Sequence, residues 1–113
     1  MKTGAILIKE ERERQMELEK YSFKHDDRHN SRELASAALS YLGHYVARAW
    51  VYTNELEMPG VIDGPDTYKR EEPPQDWPWN DKDWKPKDPM RDLIRAGALI
   101  AAEIDRLNRV NLK

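Results

Sequence analysis

Apolar residues recur at helical spacing in three stretches of the chain, with very different strength. In residues 4–20 one face reads Ile8, Glu11 and Arg12, Gln15, then Leu18, so an apolar start turns polar midway. Good helix formers fill the rest. This predicts either a helix solvated along most of its length and braced by pairs such as Glu10 with Arg14, or one that carries Glu11, Arg12 or Gln15 into a polar pocket between helices. Residues 31–54 are much more apolar: Leu34, Ala38, Tyr41, Leu42, Tyr45 and Ala49 share a face, widened by Ala35, Leu39, Val46 and Trp50. Glu33, Ala37, His44 and Arg48 run along its flank, and Asn30 or Ser31 is the expected N-cap. In residues 89–110 the expected buried stripe is Leu93, Gly97, Ile100, Ile104 and Leu107, with Asp92, Ala96, Leu99, Glu103 and Arg106 along a flank. Asp88 at the N-cap and Pro89 at the first helical position mark the start of that helix.

Residues 55–88 follow no helical period. They are rich in Pro and include "PPQDWPWNDKDWKP", which reads as a long arm whose Trp77, Trp79 and Trp84 need cover from water, over the helices or over another subunit. The pattern therefore predicts a single all-α domain spanning 1–113: a three-helix protomer with a long Pro/Trp-rich arm, forming a dimeric or higher helical bundle through its second and third helices.

Composition narrows the setting. A chain of 113 residues with 39% hydrophobic and 35% charged residues has enough apolar content for one modest core. It has no Cys, which removes disulfides and thiolate metal sites and makes the cytoplasm the expected compartment. The aliphatic run near the start is too short for a signal peptide or a membrane span. Formal charge is −2, without the dense basic stripe that duplex nucleic acid requires, whereas a small anion needs only a few well-placed cations.

Candidate chemistry centres on "HDDRH" at 25–29, just before the second helix. His25, Asp26, Asp27 and His29, with Glu33 one turn on, are the right types to hold Mg or Mn. The same aspartates could simply interact with the N–H groups of the helix behind them. As ligand contacts, His25, Asp27, Arg28 and His29 could meet a phosphate or ribose. The "WPW" segment is either a hydrophobic clamp over the core or a stacking surface for a base, with Lys82, Lys85, Lys87, Arg91 and Arg95 near enough in sequence to meet phosphates. The expected pocket joins the "HDDRH" turn, the flank with Glu33, His44 and Arg48, and the arm's end with Trp79, Trp84 and Lys85. No Gly-x-Ser-x-Gly elbow or Gly-rich phosphate loop is present.

Taken in order, "ERERQ" (11–15), "HDDRH" (25–29), "ELASAALSY" (33–41), "WPW" (77–79), "WKP" (84–86) and "RDLIRAGALIAAEIDRL" (91–107) resemble a small all-helical protein family of bacteriophages and prophages. The resemblance spans nearly the whole chain and implies a phage accessory protein acting in the host cytoplasm, without specifying its chemistry. By analogy with phage proteins that disarm host defence, the first expectation is a binding protein without its own cofactor. It would sequester a nucleotide-derived signal such as a cyclic dinucleotide or an ADP-ribose derivative. One alternative is a divalent-metal-dependent nucleotide pyrophosphohydrolase or phosphodiesterase. Its nearest analogy is the all-helical MazG-type enzymes, although here Glu10 and Glu13 have the Glu-x-x-Glu spacing and no Glu-x-x-Asp follows. Another alternative is an inhibitor that covers a host protein with the Trp-rich arm.

Overall fold

A computed structural model describes residues 1–17, 26, 28, 32–53 and 65–111. Among these lie four α-helices: α1 (Gly4–Glu17), α2 (Glu33–Thr53), α3 (Pro65–Lys69) and α4 (Pro89–Asn111), with a short 3₁₀ turn at Asp81–Asp83. The fold is all-α, but it is not the expected three-helix protomer with an arm. Pro65 opens α3 and Asp66 occupies its first turn, a sound helix start. A five-residue helix is too short to show any period in the sequence. Residues 71–88 are equally integral to the fold, because Trp84 belongs to the core and Trp77 and Trp79 pack against it. Nothing among the described residues supports the expected oligomeric bundle: α2 and α4, the helices expected to join protomers, pack on each other within one chain.

Local signals explain the helix starts. Thr3 Oγ1 accepts a hydrogen bond from Ile6 N at 3.2 Å, capping α1. Asp88 Oδ1 accepts from Arg91 N at 2.8 Å, so the N-cap and Pro89 start read from the sequence hold. For α2 the carbonyl of Arg32 accepts the first helical bond from Ser36 N at 2.9 Å, and Arg32 has φ 69°, a left-handed conformation that costs a non-Gly residue some strain. The expected caps Asn30 and Ser31 lie outside the described residues.

The central pair is α2 against α4, and it runs antiparallel. Tyr41 meets Arg95, and His44 meets the Tyr68 carbonyl while the Tyr68 hydroxyl meets Asp92. The core between them is Leu34, Ala37, Ala38, Tyr41, Trp84, Ala96, Leu99 and Ala102. Small side chains let the helices approach closely, and the indole and phenol fill the wider end. On the other side of α4, α1 comes so close that a Cβ on Gly97 would sit 2.5 Å from Ile8 Cδ1.

The helix faces differ from those expected. Ile100, Ile104 and Leu107 of the supposed buried stripe are 46%, 52% and 45% exposed, while the flank residues Asp92, Ala96, Leu99, Glu103 and Arg106 are buried. On α2, Leu39, Leu42 and Val46 likewise face outward. Buried charge is accommodated inside because each group is partnered: Asp92 by the Tyr68 hydroxyl and Lys87 N, and Glu103 by Arg106 one turn along the same helix. Among the described residues no helix is long and apolar enough to cross a membrane.

Candidate functional site

Two polar assemblies border α4, one around Tyr68 and Asp92 and the other along its contact with α1. At the first, Tyr68 of α3 is driven between the helices: its hydroxyl donates to Asp92 Oδ2 at 2.7 Å, and Lys87 N donates to Oδ1 at 3.0 Å. Burial raises the Asp92 pKa above its ordinary 3.8, with the Tyr68 and Lys87 hydrogen bonds opposing the rise. His44 places Nε2 3.1 Å from the Tyr68 carbonyl, which makes Nε2 the protonated nitrogen of a neutral ring. Burial lowers its pKa below 6.5, against the pull of the Tyr68 carbonyl, Asp92 and Glu71.

The aromatic residues proposed as ligand contacts lie beside this assembly and are engaged with one another. Trp84 stacks on Tyr41 with ring centroids 4.9 Å apart and donates Nε1–H to the Glu71 carbonyl at 3.1 Å. Trp77 stands edge-on to Tyr41, Trp79 and Trp84. Arg95 lies over the Tyr41 ring and donates to the Lys85 carbonyl at 2.6 Å. Trp84 is only 7% exposed, so it is a core residue and offers no face to a base. Trp79 is half-buried against the same core, and the Lys85 side chain points to solvent. Arg48 is held by Glu71 from the segment after α3.

The second assembly lies where α1 meets α4. Glu11 is buried and receives four donors: Arg14 Nε and Nη2 at 2.8 Å, Gln15 Nε2 at 3.2 Å, and Arg91 Nη2. Burial acts to raise its pKa, but those donors outweigh it and hold the carboxyl below its ordinary 4.5. Arg91 is thereby committed to Glu11 and is separated from the Trp cluster it was expected to join. Next to it, Arg12 Nη2 donates to Asp26 Oδ2 at 2.7 Å, with the Asp26 side chain wholly buried. Arg12 Nε lies 3.9 Å from Asp105 Oδ2 on α4. Arg106, one residue further, pairs with the buried Glu103 through Nε.

The helix register brings a third carboxylate to this end. Counting the same number of residues back along α2 from Tyr41 and forward along α4 from Arg95 sets Glu33 level with Glu103. Glu33 shares its stripe with Ala37, Tyr41 and His44, and Glu103 shares its stripe with Asp92, Ala96 and Leu99, the two stripes that face each other. Glu33 is partly buried in the first turn of α2.

Of the sequence-predicted residues, then, Asp26 pairs with Arg12 and Glu33 opens α2, whereas His44, Trp84 and Arg95 gather around Tyr41 and Tyr68. Arg28 is exposed, and His25, Asp27 and His29 lie outside the described residues. Among the described residues no three His, Cys, Asp or Glu side chains are grouped to hold a metal ion. Glu103 and Arg106, read from the sequence as flank residues outside the buried stripe, are buried. Glu103 and Asp92 on one stripe with Leu99 between them was the available signal, since two acids recur there at core spacing. No protein-family model, curated protein or solved structure matches the chain, so the resemblance to a phage family rests on its motifs alone.

Proposed function

We propose that the chain is a divalent-metal-dependent hydrolase of nucleotides, acting on a phosphoanhydride or phosphodiester bond at a site that includes Asp26 and Glu33. One observation carries this reading: the buried carboxylates of Asp26 and Glu103 are each paired with a buried guanidinium, Arg12 and Arg106, beside α4. Charges of both signs are costly in so small a core, and their retention points to use. Carboxylates are hard oxygen donors suited to Mg or Mn, and arginines suit phosphate. His25, Asp26, Asp27, His29 and Glu33, the set read from the sequence, would hold the ion, which when bound would supply charge neutralisation and an activated water. Arg12 and Arg106 orient the Asp26 and Glu103 carboxylates through hydrogen bonds.

Sequestration of a nucleotide signal is less well supported, because Trp84, Arg91 and Arg95 are spent on internal contacts. A surface inhibitor acting through the Trp segment meets the same objection. The setting carried over from the motif resemblance is a phage protein of the host cytoplasm, where hydrolysis would act on the nucleotide pool or on nucleotide signals of host defence.

The test is incubation of the purified chain with nucleoside triphosphates and cyclic dinucleotides in MgCl₂ or MnCl₂, with products followed by ³¹P NMR. Turnover should require metal and fall by about 10²-fold or more in folded Asp26→Asn and Glu33→Gln variants. Absence of turnover across the panel, or turnover that survives EDTA, would exclude the proposal.

A further inference from the structure

The Arg12 guanidinium is only partly used. Its side chain is 9% exposed, Nη2 is bound to Asp26, and Nε and Nη1 make no hydrogen bond. The nearest acid to Nε, Asp105, is at 3.9 Å, beyond hydrogen-bond range. One turn along α1, Gln15 is 4% exposed, and its Oε1 also has no partner. That oxygen's position is set by its own network, because Gln15 Nε2 is turned toward Glu11, which two arginines fix. Native interiors seldom leave buried polar atoms unpaired, and here two donor nitrogens and one acceptor go unmatched on one face of one helix.

We propose that Arg12 and Gln15 form the substrate-recognition subsite of the hydrolase: Arg12 Nη1 binds a phosphate oxygen of a nucleoside polyphosphate, and Gln15 Oε1 accepts from a hydroxyl or amino group of its nucleoside. The assignment deepens the hydrolase reading and rests on it for the identity of the nucleotide. Charge supports it. Of the Arg12 nitrogens Nη2 is the one hydrogen-bonded, to Asp26, which fixes the guanidinium plane while leaving a cationic edge for an anion. Glu11 is saturated by Arg14, Arg91 and Gln15, so its charge is masked from an approaching phosphate. Recognition would thus come from α1, while the described carboxylates of the proposed hydrolytic centre are Asp26 and, from α2, Glu33.

Binding without turnover separates this proposal from the hydrolase reading. Calorimetry of the full chain with inorganic pyrophosphate in EDTA should give saturable binding, weakened about tenfold or more in R12K, whose single ammonium cannot hold Asp26 and present a second nitrogen to phosphate. Because loss of Arg12 strands a buried acid, the R12M/D26N double variant, which removes both charges, is measured beside it, with circular dichroism to establish folding. Q15M should keep pyrophosphate affinity and weaken a nucleoside triphosphate by about tenfold. No pyrophosphate binding by the wild-type chain, or equal binding by the folded Arg12 variants, overturns the proposal whether or not hydrolysis is seen. Unchanged triphosphate affinity in Q15M overturns the role of Gln15. Binding lost with Arg12 in a chain that hydrolyses nothing would sustain the subsite and remove the hydrolase.

Discussion

The Tyr68 hydroxyl donates to Asp92 Oδ2 at 2.7 Å, and neither side chain is exposed. Each group raises the pKa of the Tyr68 hydroxyl, by burial first and then through the Asp92 hydrogen bond and charge. The contact ties α3 to α4 and so anchors a five-residue helix that could not stand alone. Tyr68→Phe should cost about 1–3 kcal/mol in urea unfolding, because it strands a buried carboxylate oxygen. Asp92→Asn should cost a similar amount, and the double variant less than the sum. Strictly additive costs would mean that the two groups do not act as a pair.

The same assembly sets a pH dependence with two opposing slopes. His44 titrates below its ordinary 6.5 in the folded chain, so the unfolded chain takes up its proton first as pH falls. Its contribution is complete above 6.5 and is lost as acid carries the pH down through its folded value. Asp92 titrates above 3.8, so its contribution is complete below 3.8 and declines as pH rises through its folded value. Between pH 7.5 and 5.5 the His44 slope governs. His44→Gln, which can still donate to the Tyr68 carbonyl, should flatten the fall in unfolding free energy over that range. An unchanged slope would show that His44 is not held neutral.

Two glycines in helices should respond oppositely to alanine. At Gly97 the added Cβ would meet Ile8 Cδ1 at 2.5 Å and Cγ1 at 2.8 Å, whereas at Gly43 it meets nothing within 4 Å. Gly43→Ala should therefore stabilise by about 0.5–1 kcal/mol, the ordinary helix gain. Gly97→Ala should destabilise by about 1–3 kcal/mol despite that gain, since α1 must shift off α4. Ile8→Ala combined with Gly97→Ala should recover part of the loss, and thermal unfolding of the four chains decides it. A stabilised Gly97→Ala would mean that α1 is not seated on α4 at this point.

Local signals were legible in the sequence, and long-range pairing was not. Asp88 and Pro89 announced the start of α4 because capping is decided within one turn. The buried face of α4 was misread because periodicity scores hydrophobicity, and Ile100, Ile104 and Leu107 outrank Asp92, Glu103 and Arg106 on any such scale. What reverses the order is the arrival of partners from elsewhere in the chain, Tyr68 for Asp92 and the close approach of α1, together with the local pairing of Arg106 with Glu103. Arg12 with Asp26 is invisible for the same reason. The possibility that α1 carries Glu11, Arg12 or Gln15 inward was legible from the interruption of its apolar stripe, and all three are buried.

Trp84 separates the two ends of the molecule most directly. Its ring touches Tyr41, Trp77 and His44 at centroid distances of 4.9, 5.1 and 5.5 Å, and its N–H is satisfied by the Glu71 carbonyl. Trp84→Ala should cost about 3–5 kcal/mol and erase much of the near-ultraviolet circular dichroism, since the cluster loses its centre. Trp84→Phe keeps most of the volume and loses the hydrogen bond, and a cost of about 1–3 kcal/mol should leave it folded. Because the carboxylate end lies along the seam from this cluster, folded Trp84→Phe should bind pyrophosphate as the unaltered chain does. A large loss of affinity in that variant, with its fold intact, would mean that the indole faces ligand after all.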